Sequence, residues 1–541
     1  RDGIADEWPA DAVVVASIGD ASLNHSTAAG ALGSAEYAVY QRVPIPLLLV
    51  VEDNGLGISV RSPVGWVGHR LSAFPLFGRF SADGHDPADV LATAHSAAGY
   101  VREERRPAVL HLRTVRFMGH AGSDAEIAYR SQREVEADYA RDPLLATAAL
   151  LVRRGLRSAA EIAELYARAA SDVEVAAAKV RPVRRLCGAR EVMAPLTRRA
   201  TEAQLRRGVL GEGGPESASE AAERRRVAFR GRLPEDADGL TLAQTLTATL
   251  TDLMLTHRRS LVFGQDVAVK GGVYGVTRGL RRAFGGSRVF DTLLDEQTIL
   301  GTALGSALAG FLPIPEIQYL AYVHNAIDQL RGEAATLAFF SDGRYGNGMV
   351  VRIPGLAYQR GFGGHFHNDN SLAALLDIPG LVVAVPSGAH EAAGLLRTLA
   401  AMAVAEKRPT ILIEPIALYH SRDLLVPGDS LALSGYLPPW AEALPSRDEG
   451  TLHVLADTAA DTLVVTFGNG VGMSRRAIAR SGLRADLYDL RWLAPLPSEH
   501  LAMVARGYAS VLVVDETRGS GGVSERVITA LVDADYPGRL L

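Results

Sequence analysis

The sequence is poor in cysteine and has no long apolar run, and each shortage excludes a class of protein. Cys187 is the single cysteine among 541 residues, which excludes an internal disulfide framework and a multi-thiolate metal site and fits the cytoplasm. No uninterrupted apolar run is long enough for a membrane span. The 56 Lys and Arg against 61 Asp and Glu give a net charge of −5, so no basic surface for nucleic acid is expected.

What the sequence does contain is three series of short apolar segments. Continuous apolar runs separated by helix-length stretches are typical of parallel strands buried on both faces. The first series, between residues 12 and 117, reads AVVVASIGD, PLLLVVEDN and AVLHLRTVRF. A second series begins with SLVFGQDVA at residue 260, and a third begins with TLVVTFGNG at residue 462. The sequence therefore predicts an α/β protein of three units.

Changes in composition between these series predict the domain boundaries. The first series is followed by a helical pattern with a capping box at Ser158 and Glu161. Residues 206–239 are rich in Gly, Pro, Ser and charge without an apolar period, which is typical of a linker. A second capping box, Thr241 and Gln244, begins a helix after it. We expect domains at 1–205, 240–445 and 446–541, joined by the linker 206–239.

Two runs of the first series end in residues suited to a metal ion and a phosphate. Asp20 follows VVVASIG and Asn54 follows LLLVVED, and the carboxyl ends of parallel strands meet at one crevice. Their oxygens are hard ligands that Mg²⁺ accepts beside water and phosphate oxygens. Gly19, Ala21 and Ser22 leave backbone N–H groups accessible to an anion. Either turn alone is also typical of an ordinary strand end, so the prediction depends on the pair.

The pair resembles the diphosphate-binding motif of thiamine diphosphate enzymes, which is Gly-Asp-Gly followed at a distance by Asn. Ala21 stands where that motif has its last glycine. The resemblance implies thiamine diphosphate and Mg²⁺ as cofactors. It also implies that Asp20, Asn54 and the backbone carbonyl of Leu56 hold the metal.

Longer segments resemble the decarboxylating component of lipoyl-linked 2-oxo acid dehydrogenases. RTVRFMGHAGSDAEIAYRSQREV resembles the catalytic loop of the branched-chain α subunit, and RVFDTLLDEQTILGTALGSALAG with PIPEIQYLAYVHNAIDQ resembles the pyrimidine-binding domain of the β subunit. TLVVTFGNGVG through VLVVDETRGSGGV resembles the C-terminal domain of the same subunit. The resemblance implies a transketolase-like fold, with two doubly wound cofactor-binding domains, a C-terminal α/β domain, and α and β parts fused in one chain. Compared with the family both ends look short, and the expected diphosphate-holding arginine lies outside the sequence.

The resemblance also implies roles for individual side chains. Glu296 matches the glutamate that hydrogen-bonds the cofactor's aminopyrimidine, and Tyr322 matches the aromatic residue that packs on the pyrimidine. His120 and His367 match the family's histidines that donate protons in the steps after decarboxylation. His365 is an alternative to His367. In the α-like loop the matches are Arg116, which is expected to bind the cofactor, Gly119, His120, Asp124, Tyr129 and Arg130.

The function implied is oxidative decarboxylation of a 2-oxo acid, branched-chain or pyruvate, with transfer of the acyl group to the lipoyl arm of a dihydrolipoyl acyltransferase. A homodimer in place of an α2β2 tetramer is expected. Alternatives are another thiamine diphosphate enzyme, of the transketolase or deoxyxylulose phosphate synthase type, or a non-catalytic paralogue. A nicotinamide enzyme is poorly supported, because GNGVGM at 468–473 has Met473 at the third glycine of the dinucleotide fingerprint.

Overall fold

The computed structural model describes residues 8–211, 218–357, 364–456 and 458–541. These residues form two compact units, one ending at Leu186 and one beginning at Cys187. Each unit is described by itself. In the described ranges no helix combines the length and the apolar character needed to cross a membrane.

The first unit is built on one parallel sheet. Its elements are β1 (Val14–Gly19), α1 (Ser26–Tyr40), β2 (Leu47–Asp53), β3 (Leu56–Gly57), β4 (Val60–Arg61), α2 (Trp66–Leu71), β5 (Gly78–Asp83), α3 (Pro87–Glu104), β6 (Ala108–Arg113), α4 (Gln132–Tyr139), α5 (Pro143–Arg153) and α6 (Ala159–Val180). Short 3₁₀ helices span Asp20–Asn24 and Glu126–Ala128. The parallel strands are ordered β1-β2-β6-β5, and β3 and β4 form an antiparallel hairpin.

The register of this sheet positions the predicted metal ligands. Gly19 at the end of β1 pairs with Glu52 near the end of β2, so both strands finish at the same edge of the sheet. Apolar side chains cover the two faces of the sheet in separate clusters: Leu23, Leu49, Val51, Phe77 and Val109 on one, and Leu48, Ala97, Val101, Ala108 and Leu110 on the other.

The second unit contains two sheets. Its elements are α7 (Ala189–Met193), α8 (Glu202–Leu210), α9 (Ala218–Ala228), α10 (Leu242–Thr256), β7 (Ser260–Gly264), α11 (Leu280–Phe284), β8 (Val289–Asp291), α12 (Glu296–Leu308), β9 (Leu312–Glu316), α13 (Leu337–Phe340), β10 (Met349–Gly355), α14 (Gly364–His367), α15 (Ala373–Leu376), β11 (Val382–Ala384), α16 (Ala389–Glu406), β12 (Pro409–Pro415), β13 (Thr451–His453), β14 (Thr462–Thr466), α17 (Asn469–Ser481), β15 (Ala485–Asp489), β16 (Trp492–Ala494), α18 (Ser498–Ala505), β17 (Ser510–Val513), α19 (Val523–Asp533) and β18 (Arg539–Leu540). A 3₁₀ helix spans Leu320–Ala326, and a π-helical turn spans Gln329–Ala334.

Seven strands, ordered β16-β11-β12-β10-β9-β7-β8, form the larger sheet, and five, ordered β13-β15-β14-β17-β18, form the smaller one. Every residue of β10 and β12 is buried, as expected for continuous apolar runs in a sheet covered on both faces. Helix α16 is buried along most of its length. The α/β fold class expected from the sequence is confirmed, and so are the capping boxes of α6 and α10.

The predicted linker, residues 206–239, contains helical structure. Residues 206–239 include the end of α8 and all of α9, while 212–217 lie outside the described residues. Helix α9 has few apolar residues, which is why its sequence resembles a linker. It is anchored instead by Arg225, whose Nε donates to Asp252 at 2.8 Å and whose Nη2 donates to Glu235 at 2.8 Å. The compact units also divide after Leu186 and not near residue 205.

Several strands are missing from the sequence prediction, and β5 and β9 are the longest of them. β5 has a mixed composition, GRFSAD, at the edge of its sheet. β9 reads LPIPE and lies in the middle of the larger sheet, where proline argues against a strand. Pro313 and Pro315 are tolerated because β9 pairs along its length with β7 but with β10 at Glu316 alone.

Candidate active site

In the first unit, Asp20 is a buried carboxylate without a cationic partner. It begins the 3₁₀ helix after β1 and is 2% exposed. The Ser62 hydroxyl donates to its Oδ2 at 3.1 Å, and no ion pair joins it to another described residue. Burial, with the nearby Asp53 carboxylate, raises the pKa of Asp20 above its usual value. A buried carboxyl of this kind is stabilised in its charged form by a bound cation.

The other two predicted ligands lie in the turn that follows β2. The Leu56 N–H donates to Asn54 Oδ1 at 3.1 Å, which fixes the amide side chain. The Ser62 N–H donates to the Gly55 carbonyl at 2.9 Å. Because hydrogen-bonded and non-bonded pairs alternate in an antiparallel ladder, the next pair, Leu56 with Arg61, is non-bonded. The Leu56 carbonyl therefore points away from β4 and can serve as a ligand.

The residues around Asp20 differ in how closely they are packed. A Cβ added at Gly57 would come within 3.0 Å of the Ala21 Cβ, so the alanine that replaces the last glycine of the motif packs on the β3–β4 hairpin. Gly19 has an ordinary extended backbone, and Ser22 is exposed. One buried carboxylate, one amide oxygen and one carbonyl fit a hard divalent cation that also keeps phosphate and water ligands.

The loop between β6 and α4 is held by hydrogen bonds to one carboxylate. The backbone N–H of His120 and the hydroxyl of Tyr129 both donate to Asp124 Oδ2, each at 2.7 Å, and these bonds lower the pKa of Asp124. Arg116 donates to the Tyr129 hydroxyl at 2.5 Å and to the Ile58 carbonyl at 2.6 Å. The loop is thereby joined to the hairpin that carries Leu56.

Gly119 and Arg130 fix the two ends of this loop. A Cβ at Gly119 would lie 2.2 Å from the Asp124 carbonyl oxygen, so only glycine fits there without displacing backbone. Arg130 is 7% exposed and forms ion pairs with Glu126 and Asp138, which connect the loop to α4. The side chain of His120 is left exposed at the turn between them.

In the second unit, Glu296 is the first residue of α12 and is 8% exposed. The Asn325 amide donates to its Oε2 at 2.7 Å. Within the described ranges this is its single hydrogen bond, so the other carboxyl oxygen can bond a ligand. Asn325 is in the Leu320–Ala326 helix, which also contains Tyr322.

Tyr322 belongs to an aromatic cluster that includes one of the two candidate histidines. The His367 ring lies 4.4 Å from that of Tyr319 and 6.2 Å from that of Tyr322, perpendicular to both. Tyr319 and Tyr322 are themselves 5.8 Å apart, edge to face. His365 instead contacts the exposed Phe366. The structure thus places His367, and not His365, beside Tyr322, while residues 358–363 of the preceding segment lie outside the described part.

A buried polar network behind this cluster is absent from the sequence prediction. Arg352 is fully buried and donates to Glu414 at 2.6 and 2.8 Å and to Glu316 at 2.9 Å. The Tyr419 hydroxyl also donates to Glu414, at 2.6 Å. Burial raises the pKa of Glu316 to about 7. The three charged residues come from neighbouring strands β9, β10 and β12. The one sequence signal that could have indicated this network is the arginine, Arg352, within the apolar strand segment GMVVRIPG.

The predicted site residues thus fall into two groups. Asp20, Asn54, Leu56, Arg116 and His120 are in the first unit, and Glu296, Tyr322 and His367 are in the second. Each group is assembled locally from residues distant in the sequence. Tyr319 and Asn325 belong to the second group although sequence reasoning missed them.

Comparisons with known proteins match three family models along the chain. Residues 9–185 match the dehydrogenase E1 component, 238–421 the transketolase pyrimidine-binding domain and 450–540 the transketolase C-terminal domain. The pyruvate dehydrogenase E1 component subunit beta of Bacillus subtilis (strain 168) is 31% identical over 302 residues, which are 54% of this chain and 85% of the relative. The same subunit of Staphylococcus aureus (strain N315) is 30% identical over 300 residues, 54% of this chain and 84% of the relative.

The chain belongs to the 2-oxo acid dehydrogenase E1 family. It is an E1 with α-like and β-like parts fused in one polypeptide. The Asp20 group lies in the segment that matches the E1 component model, and the Glu296 group lies in the segment that matches the pyrimidine-binding model.

Proposed function

We propose that this E1 uses thiamine diphosphate and Mg²⁺ to decarboxylate a 2-oxo acid and passes the acyl group to the lipoyl arm of a dihydrolipoyl acyltransferase. Family membership supports thiamine-dependent decarboxylation of a 2-oxo acid. The observation that carries the proposal is the buried Glu296 carboxyl, which has one oxygen held by Asn325 and one oxygen available to a ligand.

At the diphosphate end, Asp20, Asn54 and the Leu56 carbonyl would hold the cation. Asp20 supplies the anionic ligand, and its burial without a cationic partner favours exchange of the proton for a metal. Backbone N–H groups from Gly19 to Ser22 face the same strand end and are proposed to bind phosphate oxygens. Arg116 adds a cation near this hairpin.

At the pyrimidine end, Glu296 would hydrogen-bond the ring nitrogen of the cofactor and exchange a proton with it. Asn325 keeps the carboxyl group oriented, and Tyr322, which is in edge-to-face contact with Tyr319, would pack on the ring. Bound thiamine diphosphate would supply the carbon nucleophile and electron sink that decarboxylation of a 2-oxo acid requires.

Two histidines are proposed to move protons near the substrate. His367 is held perpendicular to Tyr319 and Tyr322, and His120 is exposed in a loop fixed by Asp124. Imidazole exchanges protons near neutral pH, so both can serve the acyl transfer to the lipoyl disulfide.

A branched-chain 2-oxo acid is the first substrate candidate, and pyruvate is the second, which the printed names of the matched relatives support. These substrates differ by a few methylenes, each of which contributes about 1 to 3 kcal/mol of discrimination. Steady-state assays with pyruvate, 2-oxoisovalerate and 2-oxoglutarate, with an artificial electron acceptor and then with lipoyl acyltransferase, identify the substrate.

The decisive variant is Glu296→Gln. It should retain cofactor binding and lose about 10² to 10⁴-fold in decarboxylation measured with an artificial acceptor, because the amide cannot exchange the proton. Glu499→Gln, at the exposed start of α18, is the matched control and should keep the wild-type rate. Decarboxylation by Glu296→Gln at the wild-type rate would contradict the proposed role.

A further inference from the structure

A histidine lies within the apolar strand β6, close to the turn that carries two of the proposed metal ligands. The strand reads AVLHLR, and His111 stands between Leu110 and Leu112. Its Nε2 lies 2.8 Å from Oδ2 of Asp53, and the two side chains are 17% and 19% exposed. An apolar side chain would suit a buried strand at no cost in desolvation, so the histidine points to a role outside the core.

The register of the two central strands brings this pair together. Val51 of β2 pairs with His111 of β6, and Asp53, the last residue of β2, pairs with Arg113. Residues two apart on a strand point to the same face of the sheet, so Asp53 and His111 are diagonal neighbours on one face. The hydrogen bond between them therefore joins β6 to the end of β2.

Both carboxylate oxygens of Asp53 are engaged. A carboxylate oxygen accepts, so the imidazole of His111 donates to Oδ2 through its Nε2–H. The Gly55 N–H donates to Oδ1 at 3.1 Å. Asp53 also lies close enough to Asp20 to raise its pKa together with burial. A second carboxylate at this distance would compete for a cation if its oxygens were free, and these two hydrogen bonds occupy them.

The turn held by Asp53 contains the neutral ligands of the proposed site. Asn54 lies between Asp53 and Gly55, and the Leu56 N–H donates to Asn54 Oδ1 at 3.1 Å. Gly55 has a φ of 71°, which favours glycine, so the turn has one particular backbone shape. Rotation of the Asp53 side chain would release the Gly55 N–H and with it the peptide groups that orient both ligands.

We propose that His111 is a positioning residue for the metal site. Its hydrogen bond to Asp53 fixes the turn after β2, from which Asn54 and the Leu56 carbonyl supply oxygen ligands. This role rests on the proposed function, in which these oxygens and Asp20 hold Mg²⁺. His111 acts through Asp53 and would not contact the cation. Groups that orient metal ligands in this way typically change metal affinity about 10- to 100-fold when they are removed.

Two amide substitutions of different length test the hydrogen bond. Calorimetric titration of the full chain with thiamine diphosphate, at several Mg²⁺ concentrations, measures the affinity. His111→Gln places an amide N–H near the position of the imidazole Nε2 and should bind like the wild type. His111→Asn is one methylene shorter and does not reach Asp53, so Mg²⁺-dependent binding should weaken about 10- to 100-fold.

Ser17→Ala is the matched control in the same sheet. The exposed Ser17 hydroxyl donates to Glu52 at 2.7 Å, between the neighbouring strands β1 and β2. Its removal should leave the affinity unchanged, because this bond does not reach the turn. His111→Leu repeats the asparagine measurement with a side chain that suits a buried strand and should show the same loss, so the test stands even where the asparagine variant does not fold.

Equal affinities of the glutamine and asparagine variants would overturn the proposal, and so would wild-type affinity in His111→Leu. Parallel titration of Asp20→Asn keeps this result separate from the proposed function. Loss of binding in Asp20→Asn with full binding in His111→Asn and His111→Leu would retain the metal site and reject the role of His111. Full binding in Asp20→Asn would reject the metal site and this role with it.

Discussion

At the scale of single residues, Asp20 shows how burial changes the proton affinity of a carboxyl group. The carboxyl group is buried, receives one hydrogen bond from Ser62 and lies near Asp53. Its raised pKa means that the folded protein binds this proton more tightly than the unfolded chain does. This contribution favours folding at low pH and is lost as pH rises through the folded-state pKa.

Asp20→Asn should therefore stabilise the cofactor-free protein at neutral pH while abolishing Mg²⁺-dependent binding of thiamine diphosphate. The amide still accepts from Ser62 but carries no buried charge, so we expect the melting temperature to rise by about 1 to 3 °C. The difference between variant and wild type should vanish below the ordinary carboxyl range, where both side chains are neutral. Calorimetric melting from about pH 3 upward, at about half-unit intervals, measures this.

Asp172→Asn is the matched control, because Asp172 is exposed on α6. It should change neither the pH dependence nor cofactor affinity. Unchanged cofactor affinity in Asp20→Asn would show that the metal ligands have been assigned wrongly.

At the scale of elements, the loop between β6 and α4 depends on close backbone approach at Gly119. The Asp124 carboxylate in this loop accepts hydrogen bonds from the His120 N–H and the Tyr129 hydroxyl. This one carboxylate therefore orders the loop. A methyl group at Gly119 would meet the Asp124 carbonyl oxygen at 2.2 Å.

Gly119→Ala should displace this loop and expose its arginines. We expect faster tryptic cleavage after Arg116 and Arg130 and about a tenfold or larger loss of catalytic rate, since misplacing a catalytic loop by about 1 Å has such effects. Gly122→Ala is the control, because a Cβ there meets nothing within 4 Å. Equal cleavage of the two variants would show that the close contact does not order the loop.

Helix α9 is an element held by charge. Arg225 is 6% exposed and bonds both Asp252 and Glu235. Arg225→Met should destabilise the second unit by about 2 to 3 kcal/mol, because Asp252 keeps Arg397 and the Tyr436 hydroxyl but loses its charge-assisted hydrogen bonds from Arg225. Arg226→Met removes an exposed arginine that pairs with Glu223 and should cost less than about 1 kcal/mol. Urea unfolding measures the free energy of unfolding of both variants. Equal values would show that Arg225 does not anchor α9 and that residues 218–228 act as a linker.

At the scale of the whole molecule, the two groups of site residues lie in separate compact units. From the family resemblance alone we predict a homodimer in which the two groups serve one cofactor. The first unit also exposes apolar side chains suited to association: Val14 and Val15 on β1, each 61% exposed, and Tyr40 on α1, 81% exposed.

Mixing two inactive variants tests this assembly. Asp20→Asn and Glu296→Gln should each be inactive alone, whereas chains unfolded together and reassembled should recover about a quarter of the wild-type activity, because a mixed dimer has one intact shared site. Light scattering should give twice the chain mass. A monomeric mass with full activity, or no recovery on mixing in the presence of proven subunit exchange, would contradict the shared site.

The sequence by itself determined the fold class and the strand ends at which Asp20 and Asn54 lie. Runs such as VVVASIG and LLLVVED are buried-strand patterns, and residues directly after such strands must lie at one edge of a parallel sheet. Asp20 and Asn54 are therefore predictable from local pattern alone. Capping boxes such as Thr241 with Gln244 are equally local, and the structure forms them.

Only the tertiary structure decided features that depend on partners distant in the chain. Tyr319 and His367 become neighbours through packing, and β9 exists despite its prolines because of its pairing with β7. Helix α9 is ordered by a buried arginine whose partner Asp252 is on another helix. Local sequence encodes the hydrophobic period and the helix-capping residues. Burial of a charged side chain is favourable only where the fold places an opposite charge beside it. The position of that partner is not encoded in any single segment.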